Sequence, residues 1–154
     1  MQNLLEEICQ HLRNWFTTYD RGDVYSGSFD ISGGTIEGTG TTPTPEISAG
    51  MYYRIIGSYK NDGVYLAGTD TPTDEAFNGQ VWLMHPPAAF LALVSEIKTW
   101  QDANGGATSD NMSPFASESF GGYSYTKGSG NSAGGTATSW ASQYAARLNA
   151  WRKI

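Results

Sequence analysis

The run MYYRIIGSYKNDGVYLAG, residues 51–68, decides how the middle of the chain is read. Two segments rich in aromatic and β-branched residues flank Asn61-Asp62-Gly63, residue types that tolerate the positive φ of a tight hairpin. Upstream, VYSGSFDISGGTI alternates from Val24 and breaks at glycines, and downstream GQVWLM reads as a further strand. The intervening GTGTTPTPE and GTDTPTDE are turn-rich and carry prolines. Residues 20–84 are therefore expected to form four or five short strands, a small antiparallel sheet or barrel.

The flanks have helical texture. Leu4, Leu5, Ile8, Leu12, Trp15 and Phe16 make one broad apolar stripe at helical spacing, with Asn3 as a cap and Glu6 and Glu7 in the first turn. This predicts a helix over about 3–18. A second is expected over 86–103: Pro86 and Pro87 suit a first turn, Phe90, Leu91, Val94, Ile97 and Trp100 follow the period, and Asn104-Gly105-Gly106 stops it. A third is expected over 138–153, capped by Thr138 or Ser139, with Trp140, Tyr144, Leu148 and Trp151 on one face. The expected fold is α+β: a small three-helix bundle (residues 1–19 and 85–154) with a small antiparallel β unit (20–84) inserted between its first two helices. A glycine-aromatic loop, 104–136, joins the last two.

Composition narrows the function. The chain has 154 residues, 13% of them aromatic, and a net charge of −6. One cysteine, Cys9, excludes an intramolecular disulfide. No apolar run approaches the roughly 20 residues of a membrane helix, and the N-terminus lacks the pattern of a signal peptide. A soluble protein made in a cytoplasm is expected. Charge is uneven: residues 1–118 hold 5 Lys/Arg against 15 Asp/Glu, a net of −10, while 119–154 hold 4 Lys/Arg and no acid, a net of +4. Either the two ends meet different partners, or the cations complement a helix C-terminus.

Catalytic and metal signatures are missing. His11 and His85 stand alone, there is no His-Glu-x-x-His and no paired cysteine, and GGYSYTKGSG has its lysine in the wrong order for a phosphate loop. Asp70, Asp74 and Glu75 could bind calcium with loop carbonyls or form a solvated acidic turn; their spacing is not that of an EF-hand. The aromatics of 113–130 lack the basic groove that accompanies base stacking. Tyr25, Tyr52, Tyr53, Tyr65 and Trp82 are sugar-stacking candidates or strand core. No enzyme activity, cofactor or metal is expected.

The order of the pieces resembles a known family. The N-terminal helix is followed by SGSFDISGGTI, YYRIIGSYKNDGVY, DEAFNGQVWLMHPPAAFLALVSEIKTWQ, SPFASESFGGYSYTK and WASQYAARLNAWRKI. This resembles the head–tail connector (adaptor) proteins of long-tailed bacteriophages, in the branch from phages and prophages of Gram-positive bacteria. The most specific pieces are SESFGGYSYT and the closing W…Y…LNAWRKI. The family often has Glu-x-Ile/Leu-Gly-Asp-x-Ser ahead of its last helix. Here Glu118-Ser119-Phe120-Gly121-Gly122-Tyr123-Ser124 stands at that place, with Gly122 where the family has an acid. The β segment is a second departure, since shorter members are nearly all helical.

The resemblance implies a virion protein of the neck. It would form a ring, typically a dodecamer, between the portal and the head-completion, stopper or tail-terminator protein, and extend the DNA channel without binding DNA specifically and without a membrane. Such a ring needs segments that order against a neighbour. SPFASESFGGYSYTKGSG, residues 113–130, has four aromatics and no Leu, Ile or Val, so it suits an interface or a loop packed on its own helices. The interface candidates are Phe115, Glu118, Phe120, Gly121, Gly122, Tyr123 and Tyr125, with Arg147, Trp151, Arg152 and Lys153 at the basic end. The alternative is a carbohydrate- or host-surface-binding β module of a tail or baseplate protein.

Overall fold

A computed structural model describes residues 2–104, 117–120, 123–126 and 139–154. The chain divides into two units, residues 1–88 and 89–154. In the first, helix α1 (Gln2–Leu12) and a short 3-10 turn at Tyr19–Arg21 precede strands β1 (Val24–Ser32), β2 (Thr35–Gly38), β3 (Tyr52–Ile56), β4 (Gly63–Leu66) and β5 (Glu75–Met84). They form one antiparallel sheet in the order β2-β1-β5-β3-β4.

The two-residue side-chain period puts Phe29 and Ile31 of β1, Ile36 of β2, Tyr53 and Ile55 of β3, and Phe77, Val81 and Leu83 of β5 into one buried cluster. Phe29 stacks on Phe77 with centroids 5.3 Å apart, and Tyr53 stacks on Tyr65 at 5.5 Å. The segment between β2 and β3 folds over this cluster and packs Ile47 and Met51 on it. Two glycines permit the closure. A Cβ at Gly27 (φ +143°) would stand 2.2 Å from Thr42 Oγ1, and one at Gly79 would stand 2.1 Å from the Ile56 carbonyl. In the ladder Gly27 faces Gly79, so both close approaches cross the centre of the sheet.

Helix α1 packs against β4, with Leu5, Ile8, Cys9 and Leu12 fully buried. It stops at Leu12, earlier than its apolar stripe predicts. Arg13 takes φ +54°, Arg13 N–H donates to Gln10 O, and Asn14 N–H donates to Cys9 O. This is a Schellman ending with arginine where glycine is usual. Trp15 and Phe16 then leave the helix for the sheet: Phe16 O accepts from His85 N–H, and Thr17 Oγ1 donates to Leu83 O.

The second unit holds α2 (Ala88–Asn104), the hairpin β6 (Ser117–Phe120) and β7 (Tyr123–Thr126), α3 (Trp140–Gln143) and α4 (Ala145–Asn149). Phe90, Leu93, Val94 and Ile97 of α2 are buried, as are Trp140 and Leu148. The single helix expected over 138–153 is two short ones. Ser139 caps α3 by accepting from Ser142 N–H, and the chain breaks at Tyr144 (φ −109°, ψ 11°).

The expectation of a three-helix bundle carrying a small β unit is therefore overturned. The five-stranded sheet dominates the N-terminal part, and the described residues contain four α-helices. The physical reason lies in α1. Its apolar stripe is the right width for a helix bundle, but it is equally the right width to cover one sheet face, and it covers β4.

Candidate interaction site

Three acidic residues of the sheet unit, Asp70, Asp74 and Glu75, clamp loops. Glu75, at the start of β5, accepts hydrogen bonds from Tyr59 N–H (3.2 Å), Lys60 N–H (3.3 Å), Asn61 Nδ2 (3.1 Å) and Ser58 Oγ. These donors, Ser58 Oγ first among them, hold its carboxyl below the usual range. Asp70 accepts from Leu66 N–H at 2.7 Å and Asp74 from Gly33 N–H at 2.8 Å. The three carboxylates are thus directed at separate backbone segments, and among the described residues no group of three metal-ligating side chains converges.

The hairpin of 51–68 is also wider than its Asn-Asp-Gly suggests. The ladder ends at Ile55↔Gly63, leaving a loop in which Asn61, 1% exposed, is the central staple. Asn61 Nδ2 donates to Thr73 O at 2.8 Å, and Thr73 N–H donates to Asn61 Oδ1 at 2.7 Å. Asp62 Oδ1 accepts from Ser58 N–H at 3.0 Å.

On the sheet face opposite the aromatic cluster, Arg54 lies between two indoles. Its Cζ is 3.7 Å from the Trp15 ring centroid and 5.2 Å from that of Trp82. Its Nε is buried without a hydrogen-bond partner, and burial lowers the pKa of the guanidinium. Sequence reading missed this stack because Trp15 was assigned to the helix stripe. The available signal was a lone cation inside the apolar run YYRII. His85, which stands alone in its stretch of sequence, has Nε2 3.0 Å from Oδ1 of buried Asp23, whose Oδ2 accepts from Thr18 N–H.

Of the sugar-stacking candidates, Tyr53 and Tyr65 stack on each other and Trp82 faces Arg54. Burial pushes the Tyr53 hydroxyl up to about 12. Tyr25 packs against the core cluster, and Tyr52 is half-buried.

The interface candidates fall into three groups. Phe115, Gly121 and Gly122 lie outside the described residues. Glu118, Phe120, Tyr123 and Tyr125 sit in the β6–β7 hairpin, whose register is Ser117↔Thr126 through Phe120↔Tyr123. That hairpin is a two-stranded sheet of its own. The third group closes the C-terminal unit. Arg147 makes a bidentate ion pair with Glu96 of α2 (2.7 and 2.9 Å), which lowers the Glu96 pKa, chiefly through the hydrogen bond. Trp151 packs edge-on against Phe90 at 5.6 Å, and Tyr144 against Trp100 at 6.2 Å. Glu96 was not singled out from the sequence, although it stands one turn before Trp100 on the face that meets Tyr144. Arg152 and Lys153 are exposed beyond the last helix. The chain matches no protein-family model, no curated protein and no solved structure.

Proposed function

We propose that this protein is a head–tail connector of a long-tailed bacteriophage. Copies of it form a ring, a dodecamer in the virion, between the portal and the head-completion or tail proteins. DNA passes through the ring without specific binding, and the protein acts in the virion neck and, during assembly, in the host cytoplasm. It is a structural protein and carries no catalytic role. The observation behind the reading is the run SESFGGYSYT followed by WASQYAARLNAWRKI. The first of these runs folds as a hairpin of four-residue strands in a sheet of its own. A two-stranded hairpin is marginal alone and gains its stability from what it packs against, which suits a segment that docks on a neighbour. The acidic excess of the chain is in keeping with a channel that repels phosphate.

The test is binding to cognate portal rings, read as added mass by mass photometry. Wild-type protein should add mass at micromolar concentration. Phe120→Ala with Tyr123→Ala should reduce that binding, since truncating an aromatic anchor costs about 2 kcal/mol, while leaving the thermal transition near its wild-type position. Deleting Arg152–Ile154 should weaken binding and flatten its salt dependence. The cut falls after Trp151 because Trp151 packs on Phe90. Portal rings that gain no mass would sink the connector reading.

A further inference from the structure

Ile36 and Tyr53 belong to β2 and β3, strands that β1 and β5 separate in the sheet. Both nevertheless line one cleft of ≈ 300 Å³, because the sheet coils about the core cluster they share. Ile47 and Ala67 extend its apolar wall, and Glu37 and Asp70 bring two carboxylates to it. No Lys, Arg or His is among the residues that line it. Tyr53 is only 2% exposed, yet no described residue hydrogen-bonds its hydroxyl. Burial first, then the neighbouring Tyr65 and Asp70, push that hydroxyl up to about 12, so its oxygen is uncharged at neutral pH. Buried polar groups are as a rule hydrogen-bonded, and the cleft is where a partner for this one can enter. Glu37 is exposed, and among the described residues no cation pairs with it.

We infer that this cleft binds a primary alkylammonium group, its chain against Ile36, Ile47 and Ala67 and its charged head at Tyr53, Glu37 and Asp70. The chemistry of the lining selects that class. An ammonium carries three N–H donors and no acceptor, and the side chains at the head offer a phenol oxygen and two carboxylates. Hydrogen bonds from a charged donor to a carboxylate are the strong kind. A carboxylate or phosphate ligand would meet two like charges and no cation. The volume lies at the small end of ligand pockets, which suits a chain of a few carbons and not a ring system. The apolar wall then discriminates between an alkylammonium and a bare inorganic cation, because only the former removes apolar surface from water. The inference goes beyond the connector reading and does not depend on it, since every residue it uses lies in the sheet unit.

The full chain, labelled with nitrogen-15, is titrated at pH 7 with n-pentylammonium, pentan-1-ol and pentanoate, three ligands of one shape and different charge. Saturable shifts of the Ile36, Glu37 and Ala67 amides are expected for the ammonium, with Kd on the order of 1 mM. The alcohol and the anion should bind at least about tenfold more weakly. From ethylammonium to pentylammonium the affinity should rise by up to about fourfold per methylene, a dependence that simple screening of the acids lacks. Glu37→Gln together with Tyr53→Phe should cut affinity about tenfold. Glu37→Gln alone, at an exposed position that leaves the core untouched, should cut it about threefold. Nα-acetyl-lysine methylamide separates two sources of the group: affinity equal to that of n-pentylammonium assigns the site to a lysine of another protein, and weaker affinity assigns it to a free amine. Shifts that do not saturate, pentanoate binding as tightly as the ammonium, or wild-type affinity in the Glu37→Gln variant overturns the inference.

Discussion

Replacing Asn61 by alanine tests whether the β3–β4 loop is held by the asparagine amide or by the hairpin itself. The side chain makes a reciprocal pair with the Thr73 backbone at 2.8 and 2.7 Å and is almost wholly buried. Each such bond contributes about 1 kcal/mol net. Thr73 is exposed, so water can take over its freed groups, and the full penalty for stranded buried partners does not apply. The expected loss is therefore about 2 kcal/mol. For a unit of this size each kcal/mol moves the melting temperature by roughly 4–8 °C, so a drop of roughly 10 °C is expected. Urea unfolding followed by far-ultraviolet circular dichroism should show a lower midpoint with an unchanged slope. Asn61→Asp is the sharper variant. It keeps an acceptor for Thr73 N–H but turns an oxygen toward the Thr73 carbonyl and the Glu75 carboxylate, where the amide donated. At pH 7 it should be less stable than Asn61→Ala. Stability within about 0.5 kcal/mol of wild type for Asn61→Ala, or an aspartate variant firmer than the alanine one at neutral pH, would refute the reasoning.

Two further perturbations follow from the same unit. Glu75 has a folded-state pKa below its ordinary value because Ser58, Lys60, Asn61 and Tyr59 donate to it. Its contribution is then present above the unfolded pKa of about 4.3 and is lost as pH falls through the lower folded value. Glu75→Gln should flatten the acid limb of the stability–pH curve, and an unchanged acid slope would remove the clamp from the account. Arg54→Ala should cost about 2 kcal/mol, from two cation–π contacts and the packing of its stem. Arg54→Lys should recover only part of it, because an ammonium does not stack as a planar guanidinium does; denaturant midpoints of the three proteins decide the matter.

What could be read from the sequence, and what could not, divides along one physical line. Periods that repeat locally were legible. The strands around Gly63, the end of β5 at Met84, most of the buried face of α2 and the Ser139 cap lie where period and capping chemistry put them, whereas β5 begins at Glu75, four residues before the expected GQVWLM. The choice of partner for an apolar face was not legible. The stripe of α1 states how wide its buried face is and nothing about whether a helix or a sheet lies beneath it. The end of α1 was hidden for a related reason. Arginine at position 13 carries no stop signal, and the left-handed turn there makes sense only once Trp15 is seen to stack on Arg54, Phe16 O to accept from His85 N–H and Thr17 to bond Leu83 of β5.

The same distinction governs the acidic residues. Asp70, Asp74 and Glu75 are close in sequence, and proximity alone left open a shared cation or a solvated turn. The fold sends each carboxylate to a different backbone segment, at Leu66, at Gly33 and in the 58–61 loop, where it accepts from N–H groups that turns leave without a ladder partner. The negative charge of this unit is therefore built partly into its folding and is not free to be removed by drift without loosening loops.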